Sequence, residues 1–209
     1  MTGDAKDLVR RGYDAVSYHY RADEGGDDGK RRAWIERLVP RIPSGARVLD
    51  LGCGCGVPAA RDLVARGLTV TGVDLSDVQI ERARRLVPAA TFLRADASEV
   101  TFPAASFEAV VTFYMLLHLP LAEQPPVLAR IASWLVPGGV LIAITGHRAW
   151  TGGEENWLGG GAPMWWSHAD AATYRRWLTE AGLTVEDEEF VPEDGGGHAL
   201  FWCRKEGGG

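Results

Sequence analysis

A nine-residue stretch decides the fold of this chain. It reads Val48-Leu49-Asp50-Leu51-Gly52-Cys53-Gly54-Cys55-Gly56. The apolar residues at its start predict a buried strand, and the three glycines at alternate positions predict a tight turn. A helix is expected directly after the turn, at residues 58–66, with Gly67 placed as its C-terminal cap. A strand that ends in a glycine turn and continues as a helix lets a ligand approach the main chain closely.

An acidic residue follows this turn at the distance expected for a ribose contact. Asp74 ends the second predicted strand, 22 residues after Gly52, and a carboxylate there can accept hydrogen bonds from both ribose hydroxyls. The glycine spacing is G-x-G-x-G, whereas a dinucleotide fingerprint is G-x-G-x-x-G. Asp50 would repel a pyrophosphate but suits a positively charged ammonium or sulfonium. These residues therefore favour a nucleoside-containing cofactor over a dinucleotide.

Strands and helices alternate through the middle of the chain. Strands are expected at residues 47–51, 68–73, 91–93, 107–113 and 140–145, and helices at 58–66, 76–85 and 125–135. This alternation predicts an α/β fold with a parallel sheet covered by helices on both faces. The capping-box sequence Ser76-Asp77-Val78-Gln79 marks the start of the second of these helices.

The two ends of the chain extend this pattern. Two helical stretches are expected before the glycine turn, at residues 5–20 and 30–38, joined by the flexible segment Asp23–Gly29. Near the C-terminus, a helix is expected at 170–181, with Ser167 as a cap close to His168. Strands at 183–191 and 198–204 are joined by three glycines, and so short a connection requires antiparallel pairing.

Composition limits the classes to which the protein can belong. Its 209 residues suffice for one domain with a full core, and its formal net charge of -6 argues against a nucleic-acid partner. No apolar run reaches the length of about 18 residues that a transmembrane helix requires, so we expect no membrane contact. An odd number of cysteines favours a reducing cytoplasm. Cys53-x-Cys55 lacks a second Cys/His pair, so no metal site is expected.

Five blocks in a fixed order resemble the class I S-adenosylmethionine-dependent methyltransferases of the small-molecule type. The blocks lie at residues 50–56, 72–76, 96–97, 107–119 and 135–139, and an entry helix with Tyr13 and Tyr20 precedes them. The resemblance implies a Rossmann-like seven-stranded sheet in the order 3-2-1-4-5-7-6 with the last strand antiparallel. It also implies one domain over residues 1–209, with residues 1–41 as a helical covering element.

The resemblance implies S-adenosylmethionine as cofactor and S-adenosylhomocysteine as product. It places Asp74 on the ribose, Asp96 and Ala97 at the adenine, and the entry helix over the methionine end. The implied cofactor-binding residues are Tyr13, Tyr20, Asp50, Gly52, Cys53, Gly54, Asp74, Leu75, Asp96, Ala97 and Phe113.

Two histidines are the candidates for a catalytic base. His118 follows the fourth strand, where the alternative is a structural or cofactor-lining role. His147 follows the fifth strand, where the alternative is a plain loop position. Transfer to a hydroxyl requires a base, whereas transfer to a neutral amine does not.

Residues 146–167 combine many glycines with four of the eight tryptophans. This combination predicts an acceptor-binding insertion with aromatic walls. The alternative is that the tryptophans cover a sheet edge or form a dimer contact. The expected substrate-binding residues are Trp150, Trp157, Trp165 and Trp166.

The predicted reaction is methyl transfer from S-adenosylmethionine to a small natural product or metabolite, with oxygen favoured over nitrogen or carbon. Residues 113–116 read Phe-Tyr-Met-Leu, not the Asn/Asp-Pro-Pro-Tyr/Phe of enzymes that methylate DNA bases or protein glutamine. A nucleotide-dependent oxidoreductase lacks support because neither Tyr114 nor Tyr174 begins a Tyr-x-x-x-Lys motif. A non-catalytic cofactor-binding module stays open as an alternative function. The oligomeric state, monomer or homodimer, also stays open.

Overall fold

The computed structural model describes residues 2–23, 29–193 and 195–207, so the predicted segment Asp23–Gly29 lies largely outside the described residues. The helices are α1 (Thr2–Tyr20), α2 (Gly29–Leu38), α3 (Ala59–Ala65), α4 (Asp77–Leu86), α5 (Gln124–Trp134) and α6 (Ala171–Glu180). The strands are β1 (Arg47–Leu51), β2 (Thr69–Asp74), β3 (Thr91–Arg94), β4 (Phe107–Thr112), β5 (Leu135–Gly146), β6 (Trp150–Glu154), β7 (Met164–His168), β8 (Leu183–Glu193) and β9 (Gly196–Lys205).

Seven strands form one sheet in the order β3-β2-β1-β4-β5-β9-β8. Strands β1 to β5 pair in parallel, and β9 is antiparallel to both β5 and β8. Strands β6 and β7 form a separate antiparallel hairpin. With that hairpin set aside, the sheet has the predicted order 3-2-1-4-5-7-6, and the predicted fold class is confirmed.

Alternate residues of the central strands supply two apolar cores, one on each face of the sheet. Val48 of β1 belongs to the core that α2, α3 and α4 cover. Its neighbour Leu49 belongs to the core that α5 and α6 cover. Both side chains are fully buried, so the helices on both faces hold the strand ends in fixed positions.

The expected cap of α4 is present and also connects two helices. The Ser76 hydroxyl accepts a hydrogen bond from the backbone N–H of Gln79 at 3.0 Å. The Gln79 side chain does not return to the cap: its Oε1 accepts a hydrogen bond from Ser17 Oγ of α1 at 2.9 Å. Helix α1 is therefore fastened beside the end of β2, where the cofactor was expected.

The region after β5 differs from the prediction in two ways. The insertion, for which no strand was predicted, contains the hairpin β6–β7. The expected Ser167 cap is wrong, because Asp170 caps α6 by accepting a hydrogen bond from the Thr173 N–H at 2.8 Å. The Ser167 hydroxyl instead contacts the Thr151 hydroxyl across the hairpin at 2.8 Å. His168 is accordingly the last residue of β7.

Candidate functional site

The glycine turn after β1 forms the floor of the site. Gly52 has a φ of 84°, which favours glycine. A Cβ built on Gly52 would lie 2.3 Å from the Cβ of Met115, so no larger residue fits without movement. The backbone N–H groups of Gly52 and Cys53 both donate to the Val73 carbonyl. The turn is therefore fixed between β2 and the segment that follows β4.

Asp74 is oriented by the backbone on both of its oxygens. Its Oδ2 accepts a hydrogen bond from the Gly54 N–H at 2.8 Å, and its Oδ1 accepts one from the Ser76 N–H at 2.9 Å. Burial raises the pKa of Asp74, although these two N–H groups oppose the shift. Each oxygen retains a further lone pair, so the carboxylate can also accept bonds from a ligand.

Asp50 is a buried carboxyl group without a full set of partners. Its side chain is 1% exposed, and its Oδ2 has no hydrogen-bond partner among the described residues. Burial raises the pKa of Asp50 to about 7, while the Arg31 charge opposes the shift. A cation placed beside this oxygen would be stabilised strongly.

Two adjoining cavities lie along the carboxyl ends of β1 to β4. They have volumes of about 760 and 440 Å³ and share five lining residues, Tyr20, Gly52, Gly54, Gln79 and Phe113. The larger cavity contains Asp74 and Asp96, and the smaller contains Asp50 and Cys53. Every residue predicted to bind the cofactor lines one of the two, namely Tyr13, Tyr20, Asp50, Gly52, Cys53, Gly54, Asp74, Leu75, Asp96, Ala97 and Phe113.

Helix α1 borders the larger cavity and the insertion packs against α1, and we call these two parts together the roof. Trp157 of the insertion lies against two tyrosines of α1, with ring centroids 5.2 Å from Tyr13 and 5.3 Å from Tyr20. A Cβ built on Gly12 would lie 2.6 Å from the Pro163 carbonyl oxygen. The two parts of the roof are therefore in direct contact, at a position where α1 has no side chain.

His118 lies under this roof and lines the larger cavity. Its Nδ1 lies 2.9 Å from the Trp165 carbonyl oxygen, which can only accept, so Nδ1 carries the proton. Its Nε2 then accepts a hydrogen bond from the Tyr13 hydroxyl at 3.0 Å. Burial lowers the pKa of His118 to about 4, although the bond to Trp165 opposes the shift. His118 is therefore neutral at neutral pH and bonded through both nitrogens.

His147 lies elsewhere. Its side chain is exposed and does not line either cavity. The imidazole packs against the exposed ring of Phe190 on β8, with centroids 4.8 Å apart. His147, a candidate base in the sequence, therefore does not border the site, because it lies in the short connection between β5 and β6.

The four tryptophans of the insertion occupy different environments. Trp157 and Trp166 belong to the roof, and the Trp166 ring lies 5.9 Å from both Trp157 and His118. Trp165 contributes the carbonyl that binds His118. Trp150 is 49% exposed and stacks on the outer side of Trp166. None of the four directly lines either cavity.

Sequence reasoning missed several residues that line the cavities. Lys6 and Arg10 on α1 and Met115 after β4 border the larger cavity, and Arg31 of α2 borders the smaller one. A signal for α1 was present, because Lys6, Arg10, Tyr13, Ser17 and Tyr20 recur at intervals of three and four and so share one helix face. No comparable signal marks Arg31, which the tertiary fold brings to the site.

The comparisons with known proteins agree with this geometry. Residues 48–139 match the family model described as methyltransferase domain. These residues therefore form a methyltransferase domain of the kind that uses S-adenosylmethionine. The matched region runs from β1 into β5 and thus contains the glycine turn, Asp74 and Asp96.

Individual relatives match about two thirds of this chain. The 27-O-demethylrifamycin SV methyltransferase of Amycolatopsis mediterranei is 39% identical over 163 residues, 68% of this chain and 59% of that protein. The 2-methyl-6-phytyl-1,4-hydroquinone methyltransferase of Synechocystis is 31% identical over 141 residues, 66% of this chain and 39% of that protein. Both matches cover less than two thirds of the relative's own length.

A solved structure shares the fold of this chain. The 1,6-didemethyltoxoflavin-N1-methyltransferase of Burkholderia thailandensis superposes with a TM-score of 0.74 at 20% identity, covering 99% of this chain and 91% of that chain.

The residues of the site fit S-adenosylmethionine, the cofactor of such methyltransferase domains. The unpartnered Oδ2 of Asp50 is a buried acceptor suited to an ammonium or sulfonium group. A Cβ on Gly54 would point into open space, which leaves room for a ligand beside Asp74. Among the described residues, no group of three or more His, Cys, Asp or Glu side chains could hold a metal ion. No helix in the described part of the chain is long and apolar enough to cross a membrane.

Proposed function

We propose that this protein transfers the methyl group of S-adenosylmethionine to a hydroxyl group of a small, largely apolar molecule, such as a natural product or metabolite. The observation that carries this proposal is the Tyr13–His118 hydrogen bond beneath the aromatic roof. Tyr13 and Tyr20 of the roof line the larger cavity and offer aromatic walls to an organic acceptor. Residues 146–167 are accordingly proposed to hold that acceptor through these tyrosines, against which Trp157 packs.

The residues around the two cavities would position the cofactor. When bound, S-adenosylmethionine supplies a methyl group that is activated by a positively charged sulfur. Asp74 would accept hydrogen bonds from the ribose hydroxyls, and Asp96 would accept one from the adenine amino group. Asp50 would stabilise the positive charge of the methionine end. The roof would exclude water and align the acceptor, which is the main contribution an enzyme makes to such a displacement.

Tyr13 and His118 would remove the acceptor proton. The Tyr13 oxygen can take a proton from an acceptor hydroxyl as its own proton moves to His118 Nε2. This pair replaces His147 as the preferred route, since His147 lies outside the cavities. A buried imidazole with a pKa of about 4 is a weak base. It therefore suits an acidic hydroxyl, such as a phenol or enol.

The same weak base favours a second candidate, transfer to a neutral amine. An amine nucleophile already has its lone pair and needs no base before the attack. In that case Tyr13 and His118 would only shape the acceptor site.

The test is methyl transfer to the acceptors of two relatives, 27-O-demethylrifamycin SV and 2-methyl-6-phytyl-1,4-hydroquinone, followed by mass spectrometry. We expect one methyl group on an oxygen of at least one probe. With that probe, Tyr13→Phe should lower kcat roughly a hundredfold, because the ring stays and the proton route is lost.

His147→Gln is the matched control and should retain full activity. Full activity of Tyr13→Phe with an oxygen-methylated product would contradict the proposed proton route. Methylation at nitrogen would instead favour the second candidate. Tight S-adenosylhomocysteine binding without transfer to any hydroxyl or amine probe would favour a non-catalytic module.

A further inference from the structure

Lys6 of α1 brings a positive charge to the end of the larger cavity that holds Asp96. Its Nζ lies 2.7 Å from Asp96 Oδ2, 2.9 Å from Glu123 Oε2 and 2.9 Å from Ser98 Oγ. An ammonium group has three N–H donors, so these three acceptors account for all of them. The side chain is only 15% exposed, which distinguishes this contact from an ordinary surface ion pair.

We propose that Lys6 is a positioning residue for the cofactor, which fixes Asp96 and thereby sets the preference of the site for adenine. This inference rests on the proposed contact between Asp96 and the adenine amino group. Lys6 acts through Asp96, since its own donors are already used.

The geometry holds the Asp96 carboxylate in one orientation. Its Oδ2 bonds to Lys6, and its Oδ1 accepts a hydrogen bond from the Ser98 N–H at 2.7 Å. The turn itself is held from the other side by Arg130, which donates to the carbonyls of Ala97 and Ser98. A carboxylate ordered in advance loses little conformational freedom when a ligand binds, and this raises affinity.

The charge of Asp96 depends on the same contact. Burial alone would raise the pKa of Asp96, but the hydrogen bonds from Lys6 and Ser98 outweigh burial and lower it. The carboxyl group is therefore ionised and can only accept hydrogen bonds. It attracts the 6-amino group of adenine and repels the 6-oxo group of hypoxanthine in the same position. Without Lys6, this discrimination should weaken.

A purely structural role for Lys6 predicts a different result. Lys6 also connects α1 to Glu123, which precedes α5, and so helps to hold the roof in place. If anchoring were its whole role, removal of the side chain would lower the affinity for every ligand of the cavity by the same factor. The ratio of the affinities for two ligands that differ only in the purine base therefore distinguishes the two roles.

The experiment is calorimetric titration of the full chain with S-adenosylhomocysteine and with S-inosylhomocysteine, its deaminated analogue. The wild-type protein should prefer the adenine compound. Lys6→Met should lower affinity for S-adenosylhomocysteine roughly tenfold, the effect of losing support for one charged hydrogen bond. It should lower affinity for S-inosylhomocysteine less, so that the preference falls.

Arg11→Met is the matched control, since Arg11 lies on the same helix, is 61% exposed and pairs only locally with Asp7. It should change neither affinity. Equal losses for both compounds in Lys6→Met, or no loss, would overturn the proposal.

Asp74→Ala separates this inference from the proposed function. It should lower the affinity for both compounds about equally, because both carry the same ribose. If Asp74→Ala weakens binding and Lys6→Met leaves the preference unchanged, the role of Lys6 fails and the cofactor site stands. Failure of the wild-type protein to bind either compound would overturn both.

Discussion

The buried carboxyl group of Asp50 lowers the stability of the fold but favours the binding of a cationic ligand. It sits at the end of β1 with a pKa of about 7, raised by burial. Between pH about 4, the usual pKa of a carboxyl group, and pH about 7, Asp50 is ionised in the unfolded chain but protonated in the folded chain. Stability therefore falls as pH rises through this window. A bound cation offsets the cost by stabilising the ionised form.

Cofactor affinity should accordingly depend on pH. Binding of a cationic group favours ionised Asp50, so affinity for S-adenosylhomocysteine should rise as pH increases from about 6 to 8 and then level off. The slope below the pKa is at most about tenfold per pH unit for one proton. Titration calorimetry at several pH values measures this slope.

Asp50→Asn is the matched variant because it keeps the shape and removes the titration. Its affinity should be lower at pH 8 and nearly constant with pH. An unchanged slope in Asp50→Asn would show that another group titrates on binding.

At the scale of elements, the roof joins two parts of the chain that are distant in sequence. The contacts of Trp157 with Tyr13 and Tyr20 connect the insertion to α1. Aromatic pairs at such distances contribute about 0.5–1.5 kcal/mol beyond the area they bury. Because Tyr13 and Tyr20 line the larger cavity, we expect these contacts to open locally when a ligand enters or leaves.

Trp157→Ala should speed the release of the cofactor. Both aromatic contacts between the insertion and α1 are lost, so the dissociation rate of S-adenosylmethionine should rise roughly tenfold. Rapid filtration with radiolabelled S-adenosylmethionine measures this rate. Trp150→Ala removes a tryptophan of the same insertion that is half exposed, and it should leave the rate within about twofold. Equal effects of the two variants would mean that the roof does not control release.

The elements also show what the sequence can and cannot predict. The cofactor residues on the sheet were predictable because they lie at or near the end of a strand whose apolar run is clear, as Gly52 follows β1 and Asp74 ends β2. The hairpin β6–β7 was not, because β6 contains Gly152 and Gly153, which disfavour β structure. Pairing supplies what local preference lacks: Gly152 pairs with Trp166 and Gly153 with Trp165.

At the scale of the whole molecule, the candidate site and the packing around Trp202 lie over different parts of the sheet. The cavities lie over β1 to β4, whereas β8 and β9 complete the opposite edge. Trp202 is the central side chain of that edge. It is fully buried, and the guanidinium carbons of Arg37 and Arg41 lie 4.2 and 5.3 Å from its ring centroid.

The ion pairs at this edge contribute less than the burial of Trp202. Arg37 pairs with Asp187 and Glu189 at about two-fifths exposure, and exposed pairs typically contribute 0–1 kcal/mol each. Truncation of a buried tryptophan removes its apolar area and leaves a cavity, at a cost of about 3–5 kcal/mol. The edge is therefore held by packing, with the arginines covering the ring.

Trp202→Ala should lower the free energy of unfolding by about 3–5 kcal/mol in urea denaturation. Phe190→Ala, on the neighbouring strand but 53% exposed, should change it by about 0.5 kcal/mol or less. Since Trp202 lines neither cavity, the folded fraction of Trp202→Ala should bind S-adenosylhomocysteine with wild-type affinity. A milder variant, Trp202→Phe, permits the same binding measurement if the alanine variant does not fold. Reduced affinity in folded Trp202→Phe would show that the β8–β9 edge shapes the site and does not merely support it.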